Sequence, residues 1–185
     1  MTDWDWRSQL VFPCTRGQVG SEAMIVRPSQ KLCTKLKIRL TVDSPLDPHP
    51  FGDWSANLFT AQRKVYMIVS NTVSLYTAVF PGRGVADERQ FIQQAMEAIH
   101  QVMEHDGQSS IFENQIAPAM EQVHFGKALN RSGTGSMNDL MNRAKVWLTE
   151  RNLSPFDTAL RLNEMPFSSL NYRTPHERFY GFETK

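Results

Sequence analysis

The sequence predicts an α+β fold, with a mostly antiparallel sheet of about four or five strands packed against three or four helices. Two observations carry this. Three strand-like runs follow one another across short turns between Trp54 and Phe80, and a long apolar stripe at helical spacing follows between Asp87 and Met103. Residues 1–22 stand apart, because Trp4, Trp6, Pro13, Gly17 and Gly20 are mixed there without helix or strand period. They are expected to form a poorly ordered N-terminal extension, and residues 23–185 a single domain.

The elements follow in order. "MIVRP" from Met24 is a short strand, and Ser29 caps a short helix that runs to about Leu36. "DSPLDPHP", 43–50, is a proline-broken loop. Trp54, Ala56 and Leu58 alternate with Ser55 and Asn57, the period of a strand. "KVYMIV", 64–69, is continuously apolar, as a central strand would be. "VSLYTAVF", 73–80, follows a two-residue turn at Asn71 and Thr72, so the three runs form an antiparallel meander ended by Pro81, Gly82 and Gly84. Asp87 and Gln90 have capping-box spacing ahead of Phe91, Ile92, Ala95, Met96, Ile99, Val102 and Met103, and Gly107 terminates that helix. A weaker helix near 110–120 is interrupted by Pro118, and "QVHFGKAL", 122–129, is a further strand. Leu140, Met141, Ala144, Trp147 and Leu148 mark a third helix, and Ser154 with Pro155 opens a fourth. The aromatic, proline-marked end, "MPFSSLNYRTPHERFYGF", is expected to wrap the surface.

Composition narrows the functional classes. With 41% hydrophobic and 21% charged residues, the chain is globular rather than disordered. A net charge of +1 gives no overall bias toward nucleic acid or acidic membranes. Locally, Arg27, Lys31, Lys35, Lys37 and Arg39 form a basic stretch. Cys14 and Cys33 lack zinc-ligand spacing, and a disulfide between them is not implied. No apolar run reaches the ~20 residues that span a bilayer, and the acidic, polar start is not a signal peptide. No membrane association and a cytoplasmic location are expected.

One stretch suggests a site. "NRSGTGSMNDLM", 130–141, places two glycines, hydroxyl residues and Arg131 ahead of a helix. Ser136 can cap that helix with Asp139 at the reciprocal position, and free N–H groups there can hold an anion, with Arg131 adding a bidentate contact. The specific motifs fail: no lysine follows Gly135 as a P-loop needs, and Asn138 stands where a dinucleotide fingerprint needs glycine. Gly133 and Gly135 then serve an unusual loop backbone. The five histidines are scattered, and no HExxH or Gly-x-Ser-x-Gly element occurs. No catalytic set, metal ligands or cofactor is implied. Asp53, beside Trp54 and near His49, is the most notable lone acid.

The segments "FGDWSANL" (51–58), "SNTVSLYTAVFPG" (70–82) and "NRSGTGSMNDL" (130–140) occur in that order. In its Gly-Asp-Trp-x-Ala-Asn and Gly-Ser-Met-Asn-Asp-Leu segments, the chain resembles a family of small bacterial proteins classed as a domain of unknown function. The resemblance runs from about residue 24 to 150 and extends toward Phe179. It implies a fold and no assigned activity. It also groups Asp53, Trp54, Asn57, Asn71, Asn130, Arg131, Ser132, Ser136, Asn138 and Asp139 as candidate binding residues, either a polar cluster that satisfies backbone groups or the lining of a pocket. "LNEMPFSSLNYRTPHERF", 162–179, is locally similar to the closing segment of certain insertion-sequence transposases, and carries no catalytic residues over.

Three functions compete. The first is a soluble binding or regulatory protein without catalysis, recognising another protein or a ligand, as in a bacterial accessory or defence module. The second is a small enzyme or nucleotide-binding domain that holds a phosphate ester through the 131–136 loop. The third, nucleic-acid binding through residues 27–39, ranks last because that patch lacks interleaved aromatics.

Overall fold

A computed structural model describes residues 23–40, 43, 45–129 and 131–182, with residues 121 and 131–134 described by their backbone alone. The expected N-terminal extension and Asn130 lie outside the described residues. The fold is α+β: a five-stranded sheet in the order β4-β3-β2-β1-β5 with helices packed on it.

Strand β1 (Met24–Pro28) is buried at all five positions. Helix α1 (Gln30–Leu36) follows at once, because Ser29 caps it by accepting from the Leu32 amide. Strands β2 (Asp53–Ala61), β3 (Lys64–Asn71) and β4 (Thr77–Pro81) form the expected antiparallel meander. Strand β1 pairs parallel with β2 on one side and with the short β5 (Val123–Phe125) on the other, so the sheet is mixed. These parallel pairs were not foreseen, since pairing direction across intervening helices leaves no local mark on sequence.

The apolar stripe from Phe91 to Met103 is buried as one face of α2 (Glu88–His105), whose N-cap Asp87 accepts from the Gln90 amide. The Gln90 side chain accepts from the Ala86 amide rather than closing a full capping box. Near 110–120 the chain forms only a short helix, α3 (Ser109–Ile111), then a π-turn over Phe112–Ile116 and a 3-10 turn from Pro118. Pro118 has no N–H to continue an α-helix. Two further long elements are α4 (Arg131–Glu150) and α5 (Pro155–Asn163), the latter capped by Ser154.

Strand alternation divides the sheet. Trp54 and Phe80 share one face, where Phe179 of α6 (Pro175–Tyr180) and Phe91 of α2 each lie 6.0 Å away, ring to ring. Asp53, Ser55 and Asn57 point to the other face, and α4 packs against β2. The free edge of β4 is closed by one side chain: Asn163 accepts from the Thr77 amide at 2.8 Å and donates to the Thr77 carbonyl at 3.0 Å. This blunts an edge that would otherwise invite pairing.

Two expectations are corrected. Strand β4 starts at Thr77 rather than residue 73, because Asn71 Oδ1 accepts from the Val73 and Ser74 amides and bends residues 72–76 into a turn. The C-terminal segment does more than wrap the surface: Phe179 is fully buried and stacks on Tyr76 at 4.4 Å. A complete capping box at Thr174 and Glu177, with Pro175 in the first turn, aims α6 into that core.

Candidate functional site

The polar stripe of β2 is the floor of a pocket of about 470 Å³. Asp53, Ser55 and Asn57 are two residues apart and therefore share one side of the sheet. Arg27, two positions along in register from the residue facing Asp53, reaches the same side. Its Nε lies 2.9 Å from each Asp53 oxygen, and an Nη lies 2.7 Å from Oδ2. Arg27 also donates from Nη1 to the Lys127 carbonyl at 2.7 Å and from Nη2 to the Pro45 carbonyl at 2.8 Å. Asp53 also accepts from Thr72 Oγ1 at 2.8 Å and from the Asp47 amide at 3.3 Å. A charge pair this deeply buried is tolerated because nearly every lone pair and proton has a partner.

The pair fixes the groups above it. Thr72 gives its proton to Asp53, so at the 3.0 Å contact between Thr72 and Ser55 the serine must donate. Ser55 Oγ therefore faces the pocket with lone pairs only. Asn57 Oδ1 accepts from the Leu58 amide at 2.8 Å and from Ser29 Oγ at 2.6 Å. An amide N–H can only donate, so the orientation of the Asn57 side chain is fixed and its Nδ2 is left as the outward donor.

The chain between β3 and β4 forms one wall. Asn71 is fully buried and uses its whole amide: Nδ2 donates to the Pro50 carbonyl, and Oδ1 accepts from Val73 and Ser74. This holds Leu75, which lines the pocket, at φ 63°, a conformation that costs a non-glycine residue about 1–3 kcal/mol. Met137, Leu170, Ser136 and Ser169 face it from α4 and the chain after α5. Leu46 and Leu129, both substantially exposed, lie at the rim. A Cβ at Gly52 would sit 2.9 Å from the Asp47 carboxyl carbon, so a side chain there would push the Asp47 carboxylate from its place.

The candidate residues disperse and partly converge. Asn57 and Ser136 line the pocket, and Asp53 lies beneath it. Asn71 shapes its wall. Trp54 is on the opposite face, 1% exposed, with its indole N–H donating to the Phe51 carbonyl at 2.8 Å. Asn138 and Asp139 are exposed on α4 and not among the lining residues. Asn130 and the side chains of Arg131 and Ser132 lie outside the described residues. The Gly-rich stretch is not a loop: α4 begins at Arg131, so Ser136 is inside the helix and does not cap it. Gly135 lacks a left-handed backbone, and with no proline present nothing stops the helix from starting a turn earlier. His49 stacks edge-on against Phe51 rather than serving Asp53.

Sequence reasoning missed Arg27 as an internal residue, together with Ser29, Ser55, Thr72 and Ser169. An arginine inside "MIVRP" and an acid, a serine and an asparagine at alternate positions of one strand were the available signals. With Arg27 only 3% exposed, the basic stretch loses its first member as a surface patch. No helix among the described residues is long and apolar enough to cross a membrane.

Fold and site together define an α+β domain with a hydroxyl- and amide-lined pocket built over a buried ion pair. The chain belongs to the family described as Domain of unknown function (DUF6933), whose pattern matches residues 25–178. No curated protein matches the chain.

Proposed function

We propose that the protein binds a small, uncharged ligand in this pocket and acts by recognition or regulation rather than by chemistry. The carrying observation is that the floor offers Ser55, Asn57, Ser29 and Thr72 while the charges beneath are consumed by each other. Arg27 and Asp53 neutralise one another and spend their hydrogen-bonding capacity internally, so they position the floor instead of attracting an ion. Apolar side chains around a few placed polar groups are the usual make-up of a small-molecule site.

The test is a thermal-melt and amide-shift survey of the full chain with uncharged heterocycles, inorganic phosphate, nucleotides and oligonucleotides. Uncharged compounds should move the Ser55, Asn57 and Leu75 amides and raise the melting temperature, since a ligand at ~100 times its Kd adds about 2.7 kcal/mol. Saturable shifts with phosphate or nucleotides alone, centred on residues 131–136, would replace this reading with phosphate binding at the start of α4.

A further inference from the structure

We propose that the turn between the 3-10 segment Ser168–Leu170 and α6 is a docking point for an acidic segment of a partner protein, with Tyr172 at its centre. The inference does not depend on what fills the pocket. Tyr172 is 79% exposed, against 44% for Val146, the next most open of the large apolar residues described. Its backbone is left-handed at φ 61°, directly after Asn171 at φ 54°. A bulky residue with positive φ is an outlier that the surrounding structure must impose. Three hydrogen bonds that close the turn impose it. The Tyr172 amide donates to the Phe167 carbonyl at 2.9 Å, the Arg173 amide to the Leu170 carbonyl at 3.2 Å, and the Phe167 amide to the Arg173 carbonyl at 3.2 Å. Phe167 and Leu170 are buried and anchor the turn in the core. The Tyr172 side chain has no hydrogen bond or ring contact among the described residues, so the fold holds it outward without using it.

The charge around this turn is positive and unspent. Arg173 is exposed and has no ion pair among the described residues. Arg143 of α4, also exposed and without a carboxylate partner among them, lays its guanidinium 5.6 Å from the centre of the Phe167 ring, on the residue whose backbone holds the turn. Neighbouring acids are engaged elsewhere: Glu164 pairs with Arg161 at 3.5 Å, and Glu177 accepts from the Thr174 amide at 3.0 Å. Asp139, one turn ahead of Arg143, offsets one of the two cations at most. Tyrosine and arginine are the residue types that dominate interface energies, and a rigid tyrosine gives a large contact area for little loss of freedom. Two cations beside one ring match a short run of carboxylates. A nucleic-acid site takes many phosphate contacts, and the net charge of this chain is only +1.

The experiment titrates the full chain with an all-glutamate decapeptide and with an oligo-dT of equal length, following amide shifts and peptide anisotropy. Tyr172→Gly and Arg173→Ala are the variants. The acidic peptide should saturably shift the amides of Phe167, Tyr172 and Arg173, and each variant should weaken it by about tenfold or more. Glycine adopts positive φ at no steric cost, so Tyr172→Gly should keep or raise the urea midpoint while it loses binding. A lowered midpoint would give the ring a structural role and overturn the inference. So would equal binding by parent and variants, no response to the peptide, or shifts centred on Lys31, Lys35 and Lys37 instead. Tighter, Tyr172-dependent binding of the oligo-dT at the same amides would replace the acidic protein by single-stranded nucleic acid. Should Tyr172→Gly not fold, Arg173→Ala and the position of the shifts on the wild-type chain decide.

Discussion

Arg27 of β1 and Asp53 of β2 form an ion pair whose side chains are 2% and 1% exposed, linking two parallel strands beneath the pocket. Removing one member of such a pair leaves an uncompensated charge in the interior. Asp53→Ala or Arg27→Met is expected to destabilise the fold by about 3–5 kcal/mol. Urea unfolding of each variant checks this, and a loss below ~1 kcal/mol in both would show that the pair is not buried as described.

Trp54 gives a second expectation. It is 1% exposed, lies 6.0 Å from the Phe179 ring, and donates its indole N–H to the Phe51 carbonyl. Trp54→Ala removes both the packing and that donor, and should cost roughly 3–5 kcal/mol. Denaturation with unchanged slope and a lowered midpoint is the expected result. A variant as stable as the parent would place Trp54 at the surface.

The meander and α2 were legible because each declares itself within a short window: alternation in β2, a continuous apolar run in β3, and the stripe from Phe91 to Met103. Long-range relations were not. Nothing local says that β1 pairs parallel with β2, or that Asn163 closes the β4 edge 86 residues away. The site was half visible. Asp53 and Asn57 stood out as polar residues in a strand, but Arg27 was grouped with lysines near it in sequence, although its partner lies on the next strand. The stretch 130–141 misled for a definite reason: glycine and serine are turn formers on average, yet both tolerate helical backbone, and the residues that follow extend the helix back through them.

That correction makes a prediction about α4. Gly135 sits in the helix with open space where a Cβ would be. Gly135→Ala should therefore stabilise the protein by up to about 1 kcal/mol. Ser136, whose hydroxyl is 3.4 Å from that of Ser169, caps nothing, and Ser136→Ala should change stability by less than ~0.5 kcal/mol. Chemical denaturation of the two variants distinguishes the alternatives. A loss near 1 kcal/mol for Ser136→Ala, with Gly135→Ala also destabilising, would mean that the helix starts at Ser136 after all.

The last expectation concerns alkaline pH. Tyr76 is fully buried, donates to Asp106 Oδ2 at 2.6 Å and accepts from Tyr180 at 2.9 Å. Burial above all, then the neighbouring Tyr180 and Asp106, pushes its phenol far above the ordinary tyrosine value. The folded chain thus keeps this proton where the unfolded chain releases it, near pH ~10. Stability from this group is fully present below that value and declines above it. The slope attributable to Tyr76 is about −1.4 kcal/mol per pH unit, since the native state then holds one more proton than the unfolded state. Tyr76→Phe should have a lower stability at neutral pH, having lost the hydrogen bond to Asp106, but a visibly shallower decline between about pH 10 and 12. Urea midpoints measured across that range for parent and variant provide the comparison. Parallel pH curves would show that Tyr76 ionises in the folded protein and that its hydroxyl is open to water.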